Sequence, residues 1–136
     1  MPFTFFKGNF ADGNPFFGIF DARYVNFRRK SSFPWVLQIE IAANDLQENR
    51  LPTASENHVL NAFEDSLQEL LAKSTTYIFF GHVTGGGGRI VYCYLPSPNP
   101  AHDVLTSLFK GNPLRGMRFE IEHDPEWQRV ADIAPA

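Results

Sequence analysis

The side chains that could do chemistry are few in this sequence, and the candidate nucleophile is Cys93, its only cysteine. If the glycine run before Arg89 forms a tight turn, His82 and Cys93 lie diagonally on one sheet face, with roughly 7 to 8 Å between their backbones. A Cys/His nucleophile pair would then be within geometric reach. The surrounding side chains are apolar, however, and a thiol buried among them is an inert small hydrophobe. We therefore predict no catalytic residue.

Neither a metal site nor a cofactor-binding motif is predicted. The four histidines share no HxxxH or CxxC spacing; they are His58, His82, His102 and His123. The run Gly85 to Gly88 is not followed by Gly-Lys-Ser/Thr, and it opens a strand where a phosphate-binding loop needs a helix N-terminus. We interpret the glycine run as a tight turn and predict no cofactor.

This turn joins two strand-like runs, Thr76 to Thr84 and Arg89 to Leu95, which are rich in β-branched and aromatic residues. With Gly86 and Gly87 at the turn, the predicted opposite pairs are Thr84 and Arg89, His82 and Val91, Gly81 and Tyr92, and Phe80 and Cys93. One face then carries Ile78, Phe80, His82, Val91, Cys93 and Leu95, and the other carries Tyr77, Phe79, Val83, Ile90, Tyr92 and Tyr94. Because neither face is polar, we expect both to be covered.

An aromatic arm precedes the rest of the chain. Nine of the 14 phenylalanines stand before Pro34, among turn signals such as Asp12-Gly13. We predict one or two short strands in residues 1–33, within the runs FTFF and FGIFDARYV. We expect this arm to cover the second face of the hairpin or to extend its edge, because large bare aromatic patches are rare on monomers.

A strand and a helix follow the arm. Trp35 to Ala42 alternates between apolar and polar residues, which predicts a half-buried strand. Thr53 and Glu56 match a capping box and predict a helix that runs to about Lys73. The predicted apolar stripe of this helix contains Val59, Phe63, Leu67, Leu70 and Leu71. We interpret its acidic side as a solvated face, which contains Glu56, Glu64, Asp65, Gln68 and Glu69.

A second helix should begin at Asn99-Pro100 and end at Gly111 and Pro113. Its apolar side would contain Val104, Leu105, Leu108 and Phe109. Met117 to Glu122 alternates as a strand, and Asp124 should cap a short turn in which Trp127 folds back as an anchor. The order from Trp35 is β-α-β-β-α-β, so we predict an α+β fold of ferredoxin-like topology, with an antiparallel sheet and both helices on one face. We expect one domain over residues 1–136, with a core at 34–130 and a frayed tail at 131–136.

Composition narrows the possible partners. The chain has 12 basic and 15 acidic residues, which gives no cationic stripe for nucleic acid. No apolar stretch reaches about 18 residues, and the N-terminal segment does not resemble a signal peptide. We therefore expect a soluble cytoplasmic protein, monomeric or homodimeric, that binds neither nucleic acid nor membrane.

With no mechanism indicated, we predict a non-catalytic module that binds another protein. The predicted binding surface consists of Arg89 at the hairpin tip and the β-strand residues Arg118, Glu120 and Glu122. The alternative is an enzyme or ligand-binding domain with a pocket between the hairpin and the arm, lined by His82, Tyr92 and Tyr94. The two functions predict different structures: an enzyme or ligand-binding domain needs polar groups that converge in a cleft, and a protein-binding module does not.

Several segments together resemble a known family. They are FPWVLQIEI, Leu51-Pro52 before a capped helix ending in SLQELL, the aromatic hairpin, and Asp124-Pro125-Glu126-Trp127. From about Pro15 to Val130 the chain resembles the bacterial family called domain of unknown function 695. Some members are similar to the regulator of ribonuclease E activity B, a ferredoxin-like protein that inhibits an RNA-degrading enzyme by binding it. The resemblance implies this fold, a bacterial cytoplasmic setting and, by analogy, a regulatory role, but no site residues.

Overall fold

A computed structural model describes residues 3–110, 116–131 and 133 of the chain. The strands are β1 (Phe3–Asn9), β2 (Pro15–Asp21), β3 (Trp35–Ala42), β4 (Ile78–Gly85), β5 (Gly88–Leu95) and β6 (Met117–His123), and the helices are α1 (Ala54–Ser74) and α2 (Asn99–Lys110). The strands form one antiparallel sheet in the order β1-β2-β4-β5-β3-β6. The predicted α+β class and antiparallel sheet are confirmed. Neither α1 nor α2 combines the length and the apolar character needed to cross a bilayer.

Helix α1 begins where the capping signal predicted. The Thr53 hydroxyl accepts a hydrogen bond from the backbone N–H of Glu56 at 3.3 Å, which satisfies one of the free donors at a helix start. The Glu56 carboxylate accepts a hydrogen bond from the backbone N–H of Asn44 in the preceding loop. The helix ends at Ser74, one residue beyond the predicted Lys73.

The predicted buried face of α1 is partly wrong. Leu67 and Leu71 are buried as expected, but the inward face also contains Leu60, which was not predicted. Val59, assigned to the apolar stripe, is 45% exposed. Glu56 and Glu64, assigned to the solvated face, are buried. Glu64 is accommodated because basic side chains of the sheet meet it, a contact that helical spacing alone cannot show.

The main core lies between the sheet and the two helices, which pack on the same face. Its buried residues come from β3, β5, α1 and α2: Leu37, Ile39, Ile41, Leu60, Leu67, Leu71, Val91, Cys93, Leu95, Ala101 and Leu105. The predicted apolar side chains of α2 and the inward residues of β6 (Met117, Phe119, Ile121) pack against this cluster. The predicted helix-ending residues Gly111 and Pro113 lie outside the described residues.

The central hairpin has the predicted turn but not the predicted register throughout. Gly86 and Gly87 have φ angles of 61° and 95°, which glycine adopts without strain. Thr84, His82 and Gly81 lie opposite their predicted partners Arg89, Val91 and Tyr92. Cys93, however, lies opposite Phe79 and not Phe80, because the register shifts between Phe79 and Gly81.

This irregularity changes the predicted faces. Ile78 and Phe80 join Tyr92 and Tyr94 in a second buried cluster on the face away from the helices, whereas Tyr77 and Phe79 pack against the helix-side core. The strand approaches β2 closely at the shift. A Cβ atom at Gly81 would collide with the Ile19 carbonyl, so a glycine is required there.

Trp127 is the centre of the second cluster, as the anchor prediction proposed, and it is 2% exposed. Its indole stacks on Tyr94 with ring centroids 4.0 Å apart and donates a hydrogen bond to the Phe33 carbonyl at 3.0 Å. Asp124 caps the turn by accepting from the backbone N–H groups of Gln128 and Arg129. Of the predicted frayed tail, only Ala131 and Ile133 are described, and Ile133 packs against this cluster.

The N-terminal strands extend the sheet. β2 pairs with β4, and β1 pairs with β2 as the outermost strand. Tyr24, Phe27 and Phe33, which follow β2, pack against the second cluster and contribute rings around Trp127. At the other end of the sheet, β6 is the second edge.

Candidate functional site

A group of polar side chains lies between α1 and the central hairpin, and we call it the Arg89 cluster. Residues Asn57, Asn61 and Glu64 stand one turn apart on α1, so their side chains follow one side of the helix. They meet His82 and Thr84 of β4 and Arg89 of β5, which point to the helix face of the sheet. Polar side chains from three elements therefore converge beneath one helix.

Arg89 makes four hydrogen bonds within this cluster. Its Nε donates to the Thr84 hydroxyl at 2.9 Å, and its Nη2 donates to Asn57 Oδ1 at 2.9 Å. Its Nη1 donates to Asn61 Oδ1 at 2.8 Å and to Glu64 Oε1 at 3.5 Å. The same Glu64 oxygen lies 2.7 Å from His82 Nδ1. The guanidinium is thus held by a hydroxyl, two amides and a carboxylate.

The charged centre of the cluster is closed to solvent, whereas Asn61 at its margin is exposed. The side chains of Arg89, Glu64 and His82 are 1%, 8% and 8% exposed. Burial lowers the pKa of Arg89, and the attraction of Glu64 partly offsets this effect. No buried side-chain nitrogen or oxygen of the described residues lacks a hydrogen-bond partner. Because its groups are already bound to one another, this arrangement fastens α1 to the hairpin.

These positions correct the predicted role of Arg89. The residue was expected at an exposed hairpin tip, but it lies under α1 and is 2% exposed. Its place next to the turn is as predicted. Its burial depends on acceptors that α1 supplies from about 30 residues earlier in the chain, and no local pattern contains that information.

The other predicted surface residues do lie on an exposed strand. Arg118, Glu120 and Glu122 are on the outer face of β6. Arg118 pairs with Glu40 of β3, and Glu122 pairs with Arg129. Exposed ion pairs of this kind contribute about 0–1 kcal/mol to stability. The strand therefore presents charged and largely self-compensated side chains to solvent.

The structure does not bring together the residues of the alternative pocket. His82 points towards α1 and bonds Glu64, whereas Tyr92 and Tyr94 belong to the cluster on the opposite face. Tyr94 donates a hydrogen bond to Asp124 at 2.8 Å, and its burial raises the pKa of its hydroxyl group. The three residues share no cleft, because the sheet itself separates them.

Cys93 lies in the helix-side core with no exposed surface. Burial raises the pKa of the thiol, and the charge of Glu64 raises it further. His82 is engaged with Glu64, so it does not activate the sulfur. Within the described residues, no group of three or more His, Cys, Asp and Glu side chains is placed to hold a metal ion.

We expect the Cys93 thiol to be unreactive in the native protein. A disulfide reagent needs the thiolate and access to the sulfur, and burial suppresses both. Ellman's reagent should therefore modify one thiol per chain in 8 M urea and essentially none in buffer within the same time. Complete modification of the folded protein within seconds would contradict this prediction.

A different surface stands open. Phe5 of β1 is 63% exposed and stacks on Phe17 of β2 with ring centroids 6.2 Å apart. They border a groove of about 580 Å³, which we call the arm groove; it is lined by Phe5, Lys7, Gly8, Asn9, Pro15, Phe16, Phe17 and Leu51. The sequence prediction missed it because the rings of the arm were all assigned to covering the hairpin. The sequence does contain a signal for this surface: Phe3, Phe5 and Lys7 stand at alternate positions of a strand-like run, so their side chains lie on one face.

Together, the fold and these sites define a small α+β domain with a buried charged centre beneath α1 and an open aromatic groove at one sheet edge. Residues 10–132 match the model of the Family of unknown function (DUF695), and the chain belongs to that family. Searches of curated proteins and of solved structures gave no significant match.

Proposed function

We propose that this protein is a non-catalytic module that binds another protein, and that the arm groove is its contact surface. The single observation that carries the proposal is the exposed Phe5 ring on β1, the outermost strand of the sheet. Contiguous exposed apolar surface at the rim of a soluble domain is typical of protein interaction sites. The Arg89 cluster supports the non-catalytic part, because its hydrogen-bonding groups are occupied by one another.

The two edges of the sheet favour β1 over β6 as the contact strand. Edge strands invite pairing with other chains, and charged side chains discourage it. β6 carries three charged residues, Arg118, Glu120 and Glu122, whereas β1 carries one charge, Lys7, and three phenylalanines. One edge is thus protected by charge and the other is exposed. The predicted surface on β6 remains the second candidate for the contact.

We also infer that the unit from β3 to β6 is ferredoxin-like and that the protein is a bacterial cytoplasmic regulator. The chain order β3-α1-β4-β5-α2-β6 and the sheet order β4-β5-β3-β6 support the first inference. The resemblance of the sequence to relatives of the regulator of ribonuclease E activity B supports the second, and this support is by analogy alone.

Site-specific photo-crosslinking tests the proposed surface. A benzophenone amino acid in place of Phe5 should yield covalent adducts with another polypeptide in a lysate of the source organism. The same group in place of Val59, an exposed apolar residue of α1, is the matched control and should yield none. A third variant with the group at Arg118 tests the β6 surface.

The outcomes distinguish the two functions. Polypeptide adducts at position 5 alone support the proposal, and adducts at position 118 alone move the contact to β6. No adduct at any position, together with a small molecule retained by the purified protein in native mass spectrometry, would overturn the binding-module proposal in favour of a ligand-binding domain.

A further inference from the structure

The hydrogen-bonding pattern between β1 and β2 determines which main-chain N–H and C=O groups of β1 point away from the sheet. The Phe10 N–H donates to the Asn14 carbonyl at 2.8 Å at the turn end of the β1–β2 hairpin. Bonded and non-bonded pairs alternate along an antiparallel ladder, so Gly8 exchanges bonds with β2 and Lys7 does not. Pro15, which has no N–H, fits this pattern because it lies opposite Asn9 in a non-bonded pair.

Phe5 and Lys7 therefore direct their N–H and C=O groups away from β2, where β1 pairs with no other strand of the described residues. These two residues also direct their side chains to the same face, because they are two positions apart in a strand. Both line the arm groove. The free main-chain edge and the side-chain groove thus coincide.

The groove has one charge. Lys7 is exposed, it is the only charged residue of the lining, and it forms no ion pair within the described part of the chain. An aromatic surface next to an unpaired ammonium group complements an apolar side chain next to a carboxylate. Opposite charges at neighbouring cross-strand positions stabilise a pair by about 0.2–1 kcal/mol.

We propose that β1 receives an extended acidic peptide segment of a partner protein as a seventh strand, with an aliphatic or aromatic side chain on Phe5 and an Asp or Glu beside Lys7. Main-chain hydrogen bonds to the edge would supply affinity, and the groove would select side chains at alternate positions. This inference rests on the proposed binding function and specifies its partner.

A second copy of this chain fits the groove less well. The strand Phe3–Asn9 contains Lys7 and no acidic residue. Pairing β1 with another β1 would therefore bring two ammonium groups to the interface without a countercharge. A partner strand that carries a carboxylate resolves this mismatch, which is why we commit to an acidic segment of another protein.

A displayed library of random decapeptides, selected on the immobilised full chain, is the probe for this test. We expect enriched peptides to carry Asp or Glu two positions from Ile, Val or Phe. For the best synthetic peptide, Phe5→Ser and Lys7→Glu should each weaken binding about tenfold, and replacing the peptide carboxylate with lysine should restore binding to Lys7→Glu. Arg118→Glu is the control that should leave binding unchanged.

Methylated peptides test the strand geometry. Two versions of the peptide carry N-methyl groups on alternate amides, one at the odd positions and one at the even positions. One version should lose binding and the other should bind nearly as before, because only one set of peptide N–H groups faces β1. Circular dichroism of each protein variant checks that its fold is retained, which the exposure of both replaced side chains favours.

Four results would overturn the inference. Enriched peptides without acidic residues, or equal binding by Lys7→Glu, exclude the acidic partner. If peptides bind Phe5→Ser normally but do not bind Arg118→Glu, the site lies on β6 and the binding-module proposal stays intact. A concentration-dependent dimer in sedimentation that Phe5→Ser abolishes, without peptide binding, assigns the edge to a second copy. Crosslinking at position 5 reports separately on whether any protein partner is present.

Discussion

Replacing Trp127 with alanine should lower the free energy of unfolding by about 3–5 kcal/mol, the range for large-to-small changes at buried aromatic residues. The indole stacks on Tyr94 at 10° between ring planes and meets Phe80 edge-on at 6.2 Å. Its removal opens a cavity in the cluster that covers the second sheet face and leaves the Phe33 carbonyl without its donor. Urea unfolding followed by circular dichroism measures the loss.

Two comparisons separate the packing of Trp127 from other effects. Trp127→Phe keeps an aromatic ring on Tyr94 and should retain a large part of the stability. Val59→Ala removes an exposed apolar side chain and should change stability by less than about 0.5 kcal/mol. Trp127 has a φ of 58°, and alanine inherits that strained backbone, so strain relief cannot mask the loss. A Trp127→Ala loss below about 1 kcal/mol would contradict the assigned role.

Short-range patterns predicted the elements of this fold well. The capping signal at Thr53 gave the start of α1, the alternation after Pro34 gave β3, and Gly86 with Gly87 gave the central turn. Each depends on neighbours within a few positions, because the cap bond, the pleat and the positive φ are local properties. Such features can be predicted from one sequence.

Features that depend on distant chain segments were not predicted. The register shift before Gly81 lies where the β2 backbone leaves no room for a side chain, and β2 is about 60 residues earlier. The burial of Arg89 depends on α1, and the exposure of Phe5 depends on the place of β1 as the outermost strand of the sheet. The candidate site was missed for the same reason, since exposure is a tertiary property.

Replacing Arg89 with methionine should destabilise the protein by about 3–5 kcal/mol, although methionine fits an apolar core in size. Removing one partner of a buried ion pair leaves the other charge uncompensated, and this loss exceeds the net contribution of the intact pair. Here Glu64 would keep only His82, and the amide oxygens of Asn57 and Asn61 would lose their donor. Arg118→Met removes an exposed pair with Glu40 and is the matched control, with an expected cost of about 0–1 kcal/mol.

A double-mutant cycle tests whether the charges act on each other. Glu64→Gln removes the buried negative charge, so combining it with Arg89→Met should cost less than the sum of the two single changes, by about 0.5–3 kcal/mol. The reason is that each single variant leaves one charge buried, whereas the double variant leaves neither. Urea unfolding of the four proteins gives the coupling energy directly. Additive losses, or an Arg89→Met cost equal to that of Arg118→Met, would show that Arg89 does not fasten α1 to the hairpin through its charge.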